Sequence, residues 1–216
     1  MNRWSGHNFK VAMDESKATA GFFIVVSAPS GTGKTSICRE FMKLCPDIRF
    51  SVSYTTRPPR PGEKEGVDYH FISESSFKEK IEGGGFAEWT ENYGHLYGTS
   101  SRIIDHFIRR GGHLLLDLEP GGAKALKMNY PGGVFIFVLP PSLDDLKNRL
   151  NRRGETPEVI QKRLNNAMDE IKEVIWYDYV IINEKIDDAI DCLRSIYIAE
   201  KSRKERLRDR LEVFLQ

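Results

Sequence analysis

The sequence predicts an α/β fold built on a parallel sheet, and three observations predict it. Apolar, β-branched runs alternate with stretches of helical periodicity along most of the 216 residues. The runs are continuously apolar, as strands buried on both faces are. The first run leads through a glycine-rich turn into a helix-like stretch, the order of a β-turn-α unit.

Taken in order, Gly21-Phe-Phe-Ile-Val-Val-Ser27 is the first strand. Residues 35–44 follow, with Ile37, Phe41 and Leu44 at helical spacing. Residues 113–117 and 134–139 read as two further buried strands, and 180–182 as another that ends in Asn183. Helix-like stretches cover 100–109, 121–128, 142–152, 156–173 and 186–210. The one from 156 has Thr156 to cap it and Pro157 at its first helical position. From 52 to 98 short aromatic pieces are separated by proline and glycine, and we expect an inserted antiparallel subdomain with one helix near 74–81. The C-terminal segment, 199–216, is charge-dense with an apolar stripe of Leu207, Leu211, Phe214 and Leu215, and reads as a surface helix. Residues 1–20 interleave charge with short apolar steps; they read as a loose extension, with no apolar stretch of signal-peptide length.

The length suits one domain with insertions or two small ones. With 40% apolar and 29% charged residues, the composition excludes collagen-like, mostly disordered and disulfide-scaffold classes. The net charge of +1 offers no global basic field for nucleic acid or a membrane surface, so any anion binding must be local. The longest apolar runs, 22–26 and 134–139, fall far short of the ~20 residues that span a bilayer. Cys38, Cys45 and Cys192 have no C-x-x-C spacing, so neither a disulfide framework nor a zinc site is expected, and a reducing cytoplasm fits.

The sharpest local signal is Ala28-Pro29-Ser30-Gly31-Thr32-Gly33-Lys34-Thr35, a phosphate-binding loop between a strand and a helix. Its glycines let backbone N–H groups close around phosphate oxygens, and the helix start adds partial positive charge. Lys34 supplies a cation for β/γ-phosphates and is expected to face solvent; the Thr35 hydroxyl can ligate Mg²⁺. Asp117, ending a strand, is the expected second Mg²⁺ partner, directly or through water. The first position of the G-x-x-x-x-G-K-[ST] pattern is Ala28, which alanine can fill at negative φ. The loop alone implies a nucleoside triphosphate.

The insert adds an acceptor. Arg57-Pro-Pro-Arg60-Pro-Gly-Glu63 presents two guanidinium groups on a proline-stiffened chain, suited to bidentate phosphate recognition. Tyr69 and Tyr97 are candidate phenol donors to the same phosphate. Glu88, in Phe86-Ala-Glu88-Trp89, is a carboxylate in an aromatic strand. A carboxylate reads guanine well, because guanine offers N1–H and the 2-amino group side by side.

With these residues in view, the sequence from about 22 to 198 resembles the guanylate kinase family. The residues that carry the resemblance are Ser27–Thr35 of the phosphate loop, Ser51-Val-Ser53-Tyr-Thr-Thr-Arg57 with Arg60-Pro-Gly-Glu63, Gly66-Val-Asp-Tyr69 and Tyr97-Gly-Thr99. Leu139-Pro-Pro-Ser142, Arg149-Leu-Asn-Arg-Arg153-Gly and Arg163-Leu-Asn-Asn-Ala167 match as well. The resemblance implies ATP-dependent phosphorylation of GMP, and of dGMP as an alternative acceptor, on a three-layer P-loop core. The core would comprise 21–51, 99–140 and 174–198, with a GMP-binding insert at 52–98 and a short helical lid at 141–173. It puts the GMP phosphate against Arg57, Arg60, Tyr69 and Tyr97, and the guanine near Ser53, Glu88, Thr99 and Glu119. It brings Arg149, Arg153 and Arg163 onto the transferring phosphate, beside Lys34 and Arg57, and Asn183 onto the ATP adenine. A homo-oligomer is compatible with all of this.

One segment departs from the family pattern Asp-x-Asp-x-Gln-Gly: it reads Asp117-Leu-Glu119-Pro120-Gly121-Gly122. That departure motivates one alternative, a related kinase with a different phosphorylated acceptor. A non-catalytic binding module of the same shape is a second, although Lys34 is present; an ATPase or GTPase switch is a third that leaves the Arg/Tyr insert unexplained.

Overall fold

The structure, a computed structural model, describes residues 21–92, 94–152 and 154–214. The expected N-terminal extension (1–20) and Leu215 lie outside the described residues. Five parallel strands make the central sheet: β1 (Phe22–Ser27), β2 (Ile48–Phe50), β7 (His113–Asp117), β8 (Val134–Leu139) and β9 (Tyr179–Ile182), in the order β2-β7-β1-β8-β9.

Side-chain alternation on these strands feeds two apolar layers. Phe22, Ile24 and Val26 of β1 join Leu115, Ile136 and Val138 on one face, under α1 (Lys34–Leu44) and α7 (Ile186–Lys201). Phe23 and Val25 join Leu114, Leu116 and Phe135 on the other, under α3 (Ser101–Arg109) and α4 (Pro120–Asn129). All six residues of β1 are buried, which explains why its sequence lacks a polar face.

The second sheet runs β4-β3-β6-β5, from β3 (Tyr54–Thr55), β4 (His70–Phe71), β5 (Phe86–Asn92) and β6 (His95–Ser100), with α2 (Glu74–Glu82) beside it. The expected antiparallel subdomain is only partly so. β6 is antiparallel to both β3 and β5, but β3 and β4 pair in parallel. The proline-rich segment between β3 and β4 serves as the crossover that a parallel pair requires. Strand β2 was not foreseen, since three residues carry no readable period.

Two helices form a smaller third layer over the loop, α5 (Leu143–Asn151) and α6 (Pro157–Lys172), joined by Leu146, Leu150, Ile160, Leu164 and Ala167. Thr156 occupies the N-cap of α6 in extended conformation with Pro157 next, yet its side chain makes no capping bond. The stretch 186–210 is not one helix. It breaks after Lys201 and resumes as α8 (Arg208–Glu212). Buried Glu200 draws the chain back: it accepts from the Tyr179 hydroxyl at 2.6 Å and from Arg206 at 2.9 Å, and the Arg206 guanidinium stacks 4.0 Å from the Phe22 ring. No helix among the described residues is long and apolar enough to cross a membrane.

Candidate active site

The glycine-rich loop leaves the C-terminal end of β1 and turns into α1, so α1 points its N-terminus at whatever the loop encloses. Gly31 and Gly33 have φ of 99° and 101°, the left-handed region that a side chain would strain. A Cβ on Gly31 would also meet Leu150 Cδ2 at 2.9 Å, so α5 lies directly on the loop. Thr32 ties the loop internally, its hydroxyl donating to the Pro29 carbonyl at 2.7 Å.

Lys34 does not face solvent as expected; 12% of its side chain is exposed and its Nζ lies 2.6 Å from Asp117 Oδ1. It also donates to the Leu118 carbonyl at 3.2 Å and approaches Glu119 Oε1 at 3.5 Å. Burial alone would lower its pKa, but the charges of Asp117 and Glu119 hold it above the ordinary lysine value. A cation this enclosed requires a counterion, and the end of β7 supplies it.

A cleft of about 700 Å³ opens between the loop, the second sheet and α6. Ser30, Ser53, Arg57, Arg60, Tyr69, Glu88, Tyr97, Asp117, Glu119 and Arg163 all line it, ten of the residues that the sequence singles out. One carboxylate organises both insert arginines. Glu63 Oε1 accepts from Arg57 at 2.9 Å and its Oε2 from the Arg60 backbone N–H at 2.7 Å. Arg57 also donates to the Pro58 carbonyl at 2.8 Å. That bond to Glu63, with the Tyr97 hydroxyl alongside, raises the Arg57 pKa. The Tyr69 ring sits 5.5 Å below the Arg57 guanidinium and 5.9 Å from Tyr97, and burial pushes its phenol up to about 12.

Deeper in the cleft, Glu88 is 5% exposed and accepts from the Thr99 hydroxyl at 2.6 Å. Burial pushes its carboxyl up to about 7, against the opposing pull of the Thr99 bonds. The remaining lone pairs of such a carboxylate can take two more donors.

A second cleft, about 400 Å³, lies on the other side of the loop and is lined by Gly31, Gly33, Arg149, Asn183 and Ile186. Here Arg149 and Asn183 knot onto the loop backbone. Arg149 donates to the Thr32 carbonyl at 2.9 Å and to the Asn183 carbonyl at 2.7 Å, while Asn183 Nδ2 donates to Thr32 at 2.7 Å. Arg149 and Arg163 therefore address different clefts. Thr35 is exposed in the first turn of α1. Arg153 lies outside the described residues.

Several cleft residues escaped the sequence reading. Thr90 and Asn92 share the cleft-facing side of β5 with Glu88, and period-two alternation from Glu88 was the signal available. Asn166 and Glu170 continue the face of α6 that Arg163 begins, at helical spacing. Burial, and then the nearby charge of Glu119, pushes the Glu170 carboxyl up to about 7. Glu155 lines the cleft from the turn before α6.

Comparison with known proteins identifies the family. The family model described as Guanylate kinase matches residues 21–200. A guanylate kinase of Syntrophus aciditrophicus (strain SB) is 54% identical over 192 residues, 89% of this chain and 93% of that protein. One from Geobacter sulfurreducens is 46% identical over 196 residues, 90% of this chain and 97% of that protein. The crystal structure of guanylate kinase from Anaplasma phagocytophilum superposes with a TM-score of 0.75 at 32% identity, covering 91% of this chain and 96% of that one.

Proposed function

This chain belongs to the guanylate kinase family and is an ATP:GMP phosphotransferase; from that premise we propose that the 700 Å³ cleft takes GMP and the 400 Å³ cleft takes the base end of ATP, with the loop between them. The observation that carries this reading is the pairing, within one cleft, of a buried carboxylate at Glu88 with two arginines that Glu63 anchors, Arg57 through its guanidinium and Arg60 through its backbone N–H. One end suits a guanine edge and the other a phosphate. We read residues 52–98 as the acceptor-binding insert and 141–173 as the lid.

Phosphoryl transfer asks the protein for alignment and charge neutralisation more than for covalent chemistry. In our reading Arg57, Arg60, Tyr69 and Tyr97 hold the GMP phosphate, and Ser53, Glu88, Thr99 and Glu119 receive the base. Ala28 to Thr35 wrap the ATP phosphates, Asn183 meets the adenine, and Lys34, Arg149 and Arg163 neutralise charge that spreads over the moving group. No general base is assigned, because a phosphate monoester with a second pKa of about 6 is already largely ionised.

Mg²⁺ fits the donor set. A hydroxyl at Thr35 and a carboxylate at Asp117 are hard oxygen donors, too few to cage the ion, which suits Mg²⁺ because it keeps waters and substrate phosphate oxygens. No cluster of three His, Cys, Asp or Glu that could hold a metal occurs among the described residues. When bound, the ion neutralises the β- and γ-oxygens.

ADP release measured with GMP, dGMP, AMP, CMP and UMP tests this reading. GMP and dGMP should be turned over, and AMP rejected by roughly 10⁴-fold, because a site built for polar donors leaves its own groups unpaired with an analogue that lacks them. Comparable kcat/KM for AMP and GMP would overturn it.

A further inference from the structure

Glu155 has no place in the reading above, yet it faces one of its central cations. It follows Gly154, whose φ is 73°, and precedes Pro157 at the start of α6 by two residues. Its Oε2 lies 3.0 Å from Nε of Arg163, and only 16% of its side chain is exposed. That oxygen is buried without an aligned hydrogen bond, so the contact is an ion pair along one edge of the guanidinium. Another edge of Arg163 is engaged too: NH1 donates to the Ser30 hydroxyl in the glycine-rich loop at 2.8 Å.

A guanidinium carries five N–H donors in a rigid plane. The Nε edge lies against Glu155 and one NH1 hydrogen goes to Ser30, so the opposite side of the group is turned toward the cleft that Arg163 lines. With the group held at Nε and at NH1, the plane of the guanidinium and the direction of its remaining N–H groups are set as well. Glu155, Arg163 and Ser30 all line the cleft assigned to GMP. The chain Glu155–Arg163–Ser30 also links the turn between α5 and α6 to the loop.

We propose that Glu155 is a positioning residue for phosphoryl transfer: it holds Arg163 by its Nε edge and so aims the remaining N–H groups at the transferring group. The proposal rests on the reading that Arg163 neutralises that group. Its effect belongs to the transition state, since displacing a positioned group by an ångström costs rate rather than ground-state binding.

The test uses the full-length protein with Glu155→Gln, Glu155→Asp, Arg163→Ala and the double variant Glu155→Gln/Arg163→Ala. Circular dichroism and melting identify folded samples. Glu155→Gln keeps the size but loses the charge, and kcat should fall about tenfold, equivalent to roughly 1.4 kcal/mol, while KM for GMP and for ATP stays within twofold. Glu155→Asp keeps the charge and should recover part of that loss. In the Arg163→Ala background, Glu155→Gln should cost nothing further, because the group it positions is gone. Losses that multiply in the double variant would overturn the proposal, as would an unchanged kcat in folded Glu155→Gln. A normal kcat in Arg163→Ala would overturn the role of Arg163 itself, and a loss confined to Glu155→Gln would then show that Glu155 acts through another group. If Glu155→Gln does not fold, Glu155→Asp alone decides: its loss must vanish without Arg163.

Discussion

A Cβ atom on Gly122 would lie 2.8 Å from Oε2 of Glu88. The start of α4 therefore presses against the buried carboxylate, and only glycine leaves it room. Gly121, one residue earlier, meets nothing closer than the Thr90 hydroxyl at 4.0 Å. The two neighbouring glycines differ in kind: one makes space for a functional oxygen, and the other is exposed with room for a side chain.

Gly122→Ala should accordingly raise KM for GMP at least about tenfold, roughly 1.4 kcal/mol, and leave KM for ATP within twofold. Gly121→Ala should change neither. Steady-state kinetics with each substrate varied checks both, and equal effects of the two substitutions would refute the Gly122–Glu88 contact as a determinant of acceptor binding.

Glu88 also predicts a pH dependence. Its folded pKa is raised to about 7 by burial. That stabilises the fold below the unfolded value of about 4.3, and the contribution is lost as pH rises through 7. Guanine donors need the ionised form, so the acceptor KM should fall about tenfold between pH 6 and pH 8 and then level off. GMP's own phosphate titrates at about 6, in the wild type and in Glu88→Gln alike. Glu88→Gln should therefore lose the component centred at 7 and bind GMP at least about tenfold more weakly. Parallel KM–pH curves for the two proteins would refute the assignment.

Lys34→Ala should abolish transfer, and the 2.6 Å pair with Asp117 adds a structural consequence. Removing the cation leaves a carboxylate with little solvent around it, so Tm should drop as well. Asp117→Asn in the same protein should restore the lost Tm without restoring activity. If Lys34→Ala keeps the wild-type kcat, the loop is not the ATP site.

The strands of the central sheet were legible because two-sided burial forces unbroken apolar runs, as in β1 and β8. The edge pieces were not: β2, β3 and β4 have two or three residues each, too few for a period. In the cleft, residue types with one obvious chemistry, such as Arg57 or Lys34, could be picked out singly. Their pairing could not. Glu63 reaches both arginines because the chain turns back on itself, Glu63 N–H donating to the Arg60 carbonyl at 3.0 Å. Glu155 meets Arg163 only because a glycine at positive φ reverses the chain before α6. Lys34 looked solvent-facing because sequence shows the loop but not the carboxylate that the end of β7 brings to it from 83 residues away.

At the end of the central sheet away from the loop, His113 is buried. His113 opens β7 with its ring 4.6 Å from Phe22 and 5.6 Å from Tyr197, and its Nδ1 is buried without a hydrogen-bond partner. Burial, reinforced by the positive charges of Lys201 and Arg206 and opposed by Asp47, lowers its pKa to about 4. Tyr197 and Lys201 both donate to Asp47, so that carboxylate is already committed elsewhere. A histidine with a depressed pKa binds fewer protons in the folded state than in the unfolded one, where the value is about 6.5. Its contribution to stability is thus complete above pH 6.5 and is lost as pH falls toward 4. With these values the loss at pH 5 is about 2 kcal/mol, or roughly 4–8 °C in Tm for a chain of this size. His113→Phe keeps a ring against Phe22 and Tyr197 and has nothing to protonate. Its Tm should change by that much less than the wild type's between pH 7.5 and pH 5. Melting curves of the two proteins across that interval decide the matter, and identical slopes would show that the His113 imidazole accepts its proton in the folded state after all.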